Sequence, residues 1–172
     1  MKKIVLIYGL IAGMLTCTGY LVMGDELDMN KSMIYGFTAM LIAFSLIFVA
    51  TYQYRKQNGN TITFKKAFLI GLYISLIASS IYVGVWLITY YNFHPDFMEK
   101  YSAMVINELK ADGATAAELQ AKTIEMNKMK ESYKNPLYII ATTYMEIFPL
   151  SLIVSLISAA IMRKKPQPST GA

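Results

Sequence analysis

The sequence predicts an all-α integral membrane protein, with four membrane-spanning helices in a bundle and a helical hairpin as an outer loop. Three observations support this prediction. Apolar residues make up 55% of the 172-residue chain, whose mean hydropathy is +0.41. These residues are gathered into four long runs. The segments between the runs alternate between basic and mixed charge, as expected when successive loops lie on opposite sides of a membrane.

The four apolar runs contain a single charged residue, Glu146, and they cover residues 4–23, 33–54, 67–91 and 137–162. Each run is at least 20 residues long, and a helix needs about 20 residues to cross about 30 Å of hydrocarbon. Lipid offers the backbone no hydrogen bonds, so such segments must be helical. The sequence therefore predicts one membrane domain over residues 1–165, followed by a disordered tail over residues 166–172.

The first run could also be a signal peptide or a lipoprotein leader. Lys2 and Lys3 resemble the charged start of a signal peptide, but the apolar stretch exceeds the roughly 7–15 residues of such a segment. The residues before Cys17 match a lipid-attachment box poorly. A lone cysteine allows no internal disulfide. A retained first helix, with Cys17 as a small packing residue, is therefore favoured.

The distribution of charge predicts the orientation of the chain. Residues 1–3, 55–66 and 163–165 carry two, four and three cations and no acid. Cytoplasmic loops carry such an excess, so both termini and the middle loop are expected in the cytoplasm. The cations are expected to face the anionic lipid bilayer. Nucleic acid is not expected as a partner, because no basic patch is interleaved with exposed aromatic residues.

Aromatic residues gather near the ends of the runs. Tyr20, Trp86, Tyr90 and Tyr138 all lie near predicted outer ends. Amphipathic rings are enriched at the level of the lipid headgroups. We therefore expect these residues to anchor the helices at the membrane interface.

The outer loop, residues 92–136, is too long to be an unstructured connection. An apolar stripe after Pro95 and Asp96 predicts one helix, and Thr115 with Glu118 forms a capping-box pattern that opens a second. These helices are expected to pack on each other or on the membrane, or to form a lid or docking surface. No metal site is expected, because His94 has no convergent ligands.

Small residues at four-residue spacing indicate where the spans approach one another. In lipid, helices associate through close packing and interhelical hydrogen bonds, so small side chains mark interfaces. The pattern occurs in the first, third and fourth spans. The predicted packing residues are Gly9, Gly13, Gly71, Ser75, Ser151 and Ser155.

Glu146 is the candidate site residue, because an acid at the centre of a span costs about 2.5–3.5 kcal/mol on insertion scales. Its side chain is expected to face the bundle as a protonated carboxyl, since no span supplies a basic partner. Pro149 cannot donate to the carbonyl of Met145, which leaves an acceptor nearby. The predicted polar neighbours are Thr142, Thr143, Tyr82, Ser79 and Thr16.

Three segments of the chain resemble a known family. They are "LIYGLIAG", the basic entry "FKKAFLIGLYISL" and the last span "YMEIFPLSLIVSLISAAIMRKK". With the helical outer loop, they are similar to domain of unknown function 4199, a family of small four-helix membrane proteins known mainly from Bacteroidetes-type bacteria. The resemblance covers the chain to about Lys165. It implies an inner-membrane protein and supplies no activity, cofactor or site residue.

Three classes of function are weighed. A scaffold or accessory subunit, with a membrane-protein partner or as a homo-oligomer, is favoured. The alternative is a small proton- or ion-coupled carrier, as a single chain or as an oligomer, that uses Glu146. An enzyme is not expected, because the sequence has one histidine, one cysteine and no paired acids within its spans. No cofactor is expected.

Overall fold

The computed structural model describes residues 1–21 and 29–164 and is helical throughout, apart from turns and one isolated bridge. The disordered tail predicted over residues 166–172 lies outside the described residues. The helices are α1 (Lys2–Thr16), α2 (Thr18–Leu21), α3 (Met29–Gln57), α4 (Phe64–Asn92), α5 (Phe97–Ala111), α6 (Ala116–Ser132) and α7 (Pro136–Met162).

Four stretches are long and apolar enough to cross a membrane: Lys2–Tyr20, Ile34–Gln57, Phe64–Asn92 and Pro136–Met162. The predicted all-α membrane fold is therefore confirmed. The first stretch differs from the expected continuous helix, because α1 ends at Thr16 and the chain turns at Cys17 before α2. The last stretch remains helical through Pro149.

Helix α4 lies at the centre of the bundle and packs most extensively against α7 and α1. On the α1 side, Gly9 and Gly13 lie against Ile77 and Ile81 of α4. A methyl group added at Gly13 would come within 2.6 Å of the Ile81 side chain. The two backbones therefore approach closely where α1 has no side chain.

On the α7 side, α4 packs through a row of small residues. Gly71 lies against Ser155 and Ile47, so that residues of α4, α7 and α3 meet at one level. The hydroxyls of Ser75 and Ser155 lie 3.2 Å apart, and Ser151 is fully buried one turn away. The small residues predicted at interfaces thus lie where three helices converge.

At the end of the bundle that holds the basic residues, hydrogen bonds to backbone groups connect the helices. Ile62, in the loop between α3 and α4, exchanges two 2.9 Å hydrogen bonds with Lys164 beyond α7. Arg55 donates from Nη1 to the carbonyl of Met162 at 3.2 Å. These contacts connect the middle loop and the C-terminal end of α3 to the end of α7.

The outer loop forms the predicted helical hairpin of α5 and α6. Gly113 makes the turn at a φ of +80°, a conformation that favours glycine. The capping box of Thr115 and Glu118 is present. Asp96 stands at the start of α5, but its carboxylate pairs with Lys100 at 2.9 Å and does not cap the helix.

The close packing at Gly71 gives a test of the fold. A methyl group there would lie 2.6 Å from Ser155 Oγ and 3.0 Å from Ile47 Cγ2. Gly71→Ala should lower the free energy of unfolding by about 1–3 kcal/mol, the usual cost of overpacking. The measurement is chemical unfolding of the purified protein in detergent micelles.

Gly84→Ala is the matched control, because nothing lies within 4 Å of a methyl group at that position of α4. It should be neutral or stabilise the protein by up to about 1 kcal/mol through its helix propensity. Equal effects of the two substitutions would contradict the packing described here.

Candidate functional site: an intramembrane carboxyl beside an aromatic cluster

Glu146 lies in α7, ten residues after Pro136, or about 15 Å along the helix axis. The phenol of Tyr82 on α4 donates to Glu146 Oε1 at 3.5 Å. This distance is at the limit for a hydrogen bond, so the contact is weak. Tyr82 itself is only 7% exposed. The carboxyl therefore reaches toward the bundle through one long contact.

Glu146 was expected to face the bundle, but it lies at the edge of the buried face of α7. The buried stripe of α7 includes Thr143, Ile147 and Ser151, whereas Met145, Glu146 and Pro149 are exposed. The rotation between successive residues places Glu146 at the edge of the buried face. Protein atoms crowd the carboxyl on the Tyr82 side, and its other side opens onto the surface of the bundle.

Three of the expected hydroxyl neighbours do not bond to Glu146. Thr142 donates to the carbonyl of Tyr138 at 2.8 Å, Thr143 to that of Ile139 at 2.7 Å, and Thr16 to that of Gly13 at 2.8 Å. Threonine within a helix readily bonds to a carbonyl three or four residues earlier. The prediction that these hydroxyls partner Glu146 was therefore wrong for all three.

Tyr20 belongs to this cluster through contacts that the sequence did not predict. Its ring stacks on Tyr82 with centroids 4.9 Å apart and on Trp86 with centroids 5.3 Å apart. The sequence suggested an interfacial anchor, because Tyr20 stands near the end of an apolar run. The chain turns at Cys17, and this turn brings the Tyr20 ring onto α4. The uniform hydropathy of the run gives no sign of the turn.

The aromatic cluster continues from the bundle into the outer hairpin. Trp86 meets Phe97 of α5 edge to face, with centroids 4.9 Å apart. Tyr133, after α6, contacts Tyr90 and Tyr138 at 5.7 and 6.0 Å. Burial raises the pKa of the Tyr133 phenol. The hairpin thus contacts the ends of α4 and α7 that lie opposite the basic end of the bundle.

A row of buried hydroxyls extends from the level of Glu146 toward the basic end of the bundle. The row contains Ser79 and Ser75 on α4, Ser151, Ser155 and Ser158 on α7, and Thr51 on α3. Within the described residues, the hydroxyls of Ser79, Ser158 and Thr51 have no hydrogen-bond partner. Unpaired buried hydroxyls commonly bond to water. The row is therefore polar and only partly satisfied by the protein.

Chemically, the site offers one titratable carboxyl, two phenols and a column of hydroxyls. Among the residues that the structure describes, no three His, Cys, Asp or Glu side chains are grouped to hold a metal ion. Such an arrangement can exchange a proton or accept a hydrogen bond from a neighbouring helix. Pro149 lies on the exposed side with Glu146 and not in the bundle interior.

These features define a multi-span helical membrane protein with a carboxyl at the edge of its helix interface. The chain belongs to the family described as "Protein of unknown function (DUF4199)", whose model matches residues 6–164. Comparison with curated proteins and with solved structures gave no match. The resemblance noted from the sequence is thus confirmed at the level of the family.

A double-mutant cycle tests whether Tyr82 and Glu146 interact. Tyr82→Phe removes the donor and Glu146→Leu removes the acceptor, so the two effects should not be additive. We expect a coupling energy of about 0.6 kcal/mol, as is usual for hydrogen bonds between membrane helices. Unfolding in detergent can be followed through the fluorescence of Trp86, the only tryptophan in the chain.

Tyr73→Phe provides the control cycle with Glu146→Leu. Tyr73 lies on α4, as Tyr82 does, and is 42% exposed. Its effect should add to that of Glu146→Leu within about 0.3–0.5 kcal/mol. A Tyr82 cycle as additive as this control would show that the 3.5 Å contact contributes no stability.

Proposed function

We propose that the protein is a scaffold or accessory subunit in the inner membrane of a Bacteroidetes-type bacterium. In this proposal the edge of α7 that carries Glu146 docks against another transmembrane helix, from a partner protein or a second copy of the chain. The observation that supports it is the carboxyl itself: an exposed acid within a span, with one 3.5 Å hydrogen bond. No enzymatic activity, cofactor or nucleic acid is part of the proposal.

The energetic argument concerns the surroundings of the carboxyl. An acid facing hydrocarbon costs about 2.5–3.5 kcal/mol at the centre of a helix, and intramembrane acids normally face a bundle or a water-filled cavity. The Tyr82 phenol satisfies at most one of the acceptor sites of Glu146. A polar side chain on a neighbouring helix would supply the remaining hydrogen bonds in place of lipid.

The surroundings of Glu146 suit a helix interface. Met145 is 76% exposed and Ile153 is 54% exposed, while Pro149 is exposed between them. These residues form an apolar strip along α7 with the carboxyl at its edge. A helix packed on this strip would cover methionine and isoleucine side chains and bring its backbone or polar groups to Glu146.

The proposed orientation places both termini and the loop between α3 and α4 in the cytoplasm. The described structure supports this choice, because Lys3, Arg55, Lys65 and Lys164 all lie at one end of the bundle. Cytoplasmic segments carry an excess of such residues. The hairpin of α5 and α6 would then lie on the outer side.

Site-specific photocrosslinking in native membranes tests the docking face. A photoreactive residue at Met145 or Ile153 should give a discrete protein adduct, because both positions flank the proposed contact. Glu146→Leu should reduce the adduct several-fold. An adduct of twice the protein mass would identify a second copy, and another mass would identify a partner subunit.

Met14 is a matched control position, because it is 61% exposed and lies at the level of Tyr82 on the other side of α4. A probe there should react with lipid. If Met145 and Ile153 yield only lipid adducts, or if their protein adducts persist unchanged in Glu146→Leu, the docking proposal is wrong.

A second candidate function is proton- or ion-coupled transport through Glu146. The partly unsatisfied hydroxyl row of Ser79, Thr51 and Ser158 favours it, because water held along these residues would connect the level of Glu146 to the basic end. Hydroxyl and carboxyl chains of this kind serve as proton relays in membrane transporters.

The carrier candidate is tested in proteoliposomes that contain a pH-sensitive dye. The parent protein should dissipate an imposed pH gradient, and Glu146→Gln should abolish the flux because the amide does not titrate. Tyr73→Phe, at an exposed position outside the hydroxyl row, should leave the flux unchanged. The absence of flux from the parent protein would overturn this candidate.

A further inference from the structure

A groove of about 320 Å³ opens between the first turns of α1 and the last turns of α3. It lies at the basic end of the bundle, on the side of α3 away from the contact of Arg55 with Met162. Its lining includes Lys3, Ile4, Ile7, Tyr8, Gln53 and Gln57. This groove is remote from Glu146, and nothing in the proposed function uses it.

The lining is divided by chemical character. Ile4 and Ile7 form an aliphatic wall, and Ile7 is 44% exposed. Lys3 contributes an ammonium group, and Gln53 and Gln57, one turn apart on α3, contribute two amides. Each amide group has two N–H donors, and the ammonium group has three. The groove therefore combines a cluster of donors with a surface for hydrocarbon.

These polar groups are not occupied elsewhere within the described part of the chain. Tyr8, Gln53 and Gln57 form no side-chain hydrogen bond to another described residue. By contrast, the nearby cations of α3 are engaged, since Arg55 and Lys56 both lie over the Tyr52 ring. Lys3 is thus the cation that lines the groove, and residues 1–3 and 55–66 contain no acid.

We propose that this groove binds one anionic phospholipid of the surrounding leaflet, with its phosphate at Lys3, Gln53 and Gln57 and an acyl chain along Ile4 and Ile7. Basic pockets between transmembrane helices are known to hold anionic headgroups. The aliphatic wall distinguishes a lipid from free phosphate, which would leave the exposed side chain of Ile7 uncovered. The ammonium group of Lys3, with no acid in residues 1–3 or 55–66 to neutralise it, favours an anionic lipid over a zwitterionic one.

Native mass spectrometry of the full chain in detergent micelles tests the proposal. Dioleoyl phosphatidylglycerol should bind with one saturable site, and dioleoyl phosphatidylcholine should bind roughly tenfold more weakly, since it lacks net negative charge. Inorganic phosphate alone should neither bind measurably nor displace the lipid. Equal binding of the two lipids, or displacement by phosphate, would overturn the proposal.

A variant that combines Lys3→Gln, Gln53→Leu and Gln57→Leu removes the positive charge and the two native amides at the headgroup position. Its affinity for phosphatidylglycerol should fall roughly tenfold or more. Lys65→Gln makes the same change of charge at the same end of the bundle, on α4 and outside the groove. The control should retain parental affinity. Equal losses in both would indicate general electrostatic attraction and contradict a built site.

Photoaffinity labelling gives a second test that requires no substitution. A phosphatidylglycerol that carries a photoreactive acyl chain should label the unaltered protein at the first turns of α1 and the last turns of α3. Peptide mass spectrometry locates the label. Labelling spread over all lipid-facing helices, or concentrated elsewhere, would overturn the assignment even if the triple variant does not fold.

Discussion

Every polar group that this chain carries into hydrocarbon requires a hydrogen-bond partner within the protein, and the rest of the structure depends on this constraint. The helical backbone satisfies its own groups. The hydroxyls of Thr16, Thr143 and Ser155 follow the same rule, because each donates to a carbonyl of its own helix. The hydroxyls of Ser79, Ser158 and Thr51 have no partner among the described residues. Glu146 makes a stronger demand, since a carboxyl needs donors that its own helix cannot provide.

The lipid surroundings also explain why α4 is central. Hydrophobic transfer gives no advantage to helix association in lipid, so α4 holds its neighbours by close contact. Gly9 and Gly13 admit its isoleucines on one side, and Gly71 admits Ser155 on the other. Because Ser155 already donates to the carbonyl of Ser151, its contact with Ser75 adds a link between helices without leaving a polar group unpaired.

Sequence patterns predicted most of this fold, because each span and hairpin helix is specified locally. Apolar length defined the spans, and Thr115 with Glu118 marked the start of α6. Depth along the helices also suggested that Tyr82 lies near Glu146. Depth alone does not specify rotation about a helix axis, and this rotation places Glu146 at the edge of α7.

Other features of the site depend on which of several possible partners lies nearest to a side chain, and the sequence does not reveal this. The hydroxyls of Thr142 and Thr143 lie close to Glu146 along the chain, but carbonyls of their own helix are nearer acceptors. Tyr20 is an amphipathic residue near the end of an apolar run, which is typical of an interfacial anchor. The turn at Cys17 also gives its ring an aromatic partner on α4. Both outcomes are set by local backbone geometry within a uniformly apolar run.

The two halves of the bundle are built differently, and this difference bears on where partners can bind. In the basic half, α7 is held against α3 and α4 by the Ile62–Lys164 bridge, by Arg55 on the Met162 carbonyl and by Gly71 against Ser155. In the half opposite the basic end, α3 exposes large apolar residues near the level where α7 exposes Glu146: Ile34, Phe37, Leu41 and Ile42. A helix that completes the hydrogen bonding of Glu146 would also cover apolar surface in this half. A lipid between α1 and α3 at the basic end would not compete with it, so the two sites can be occupied together.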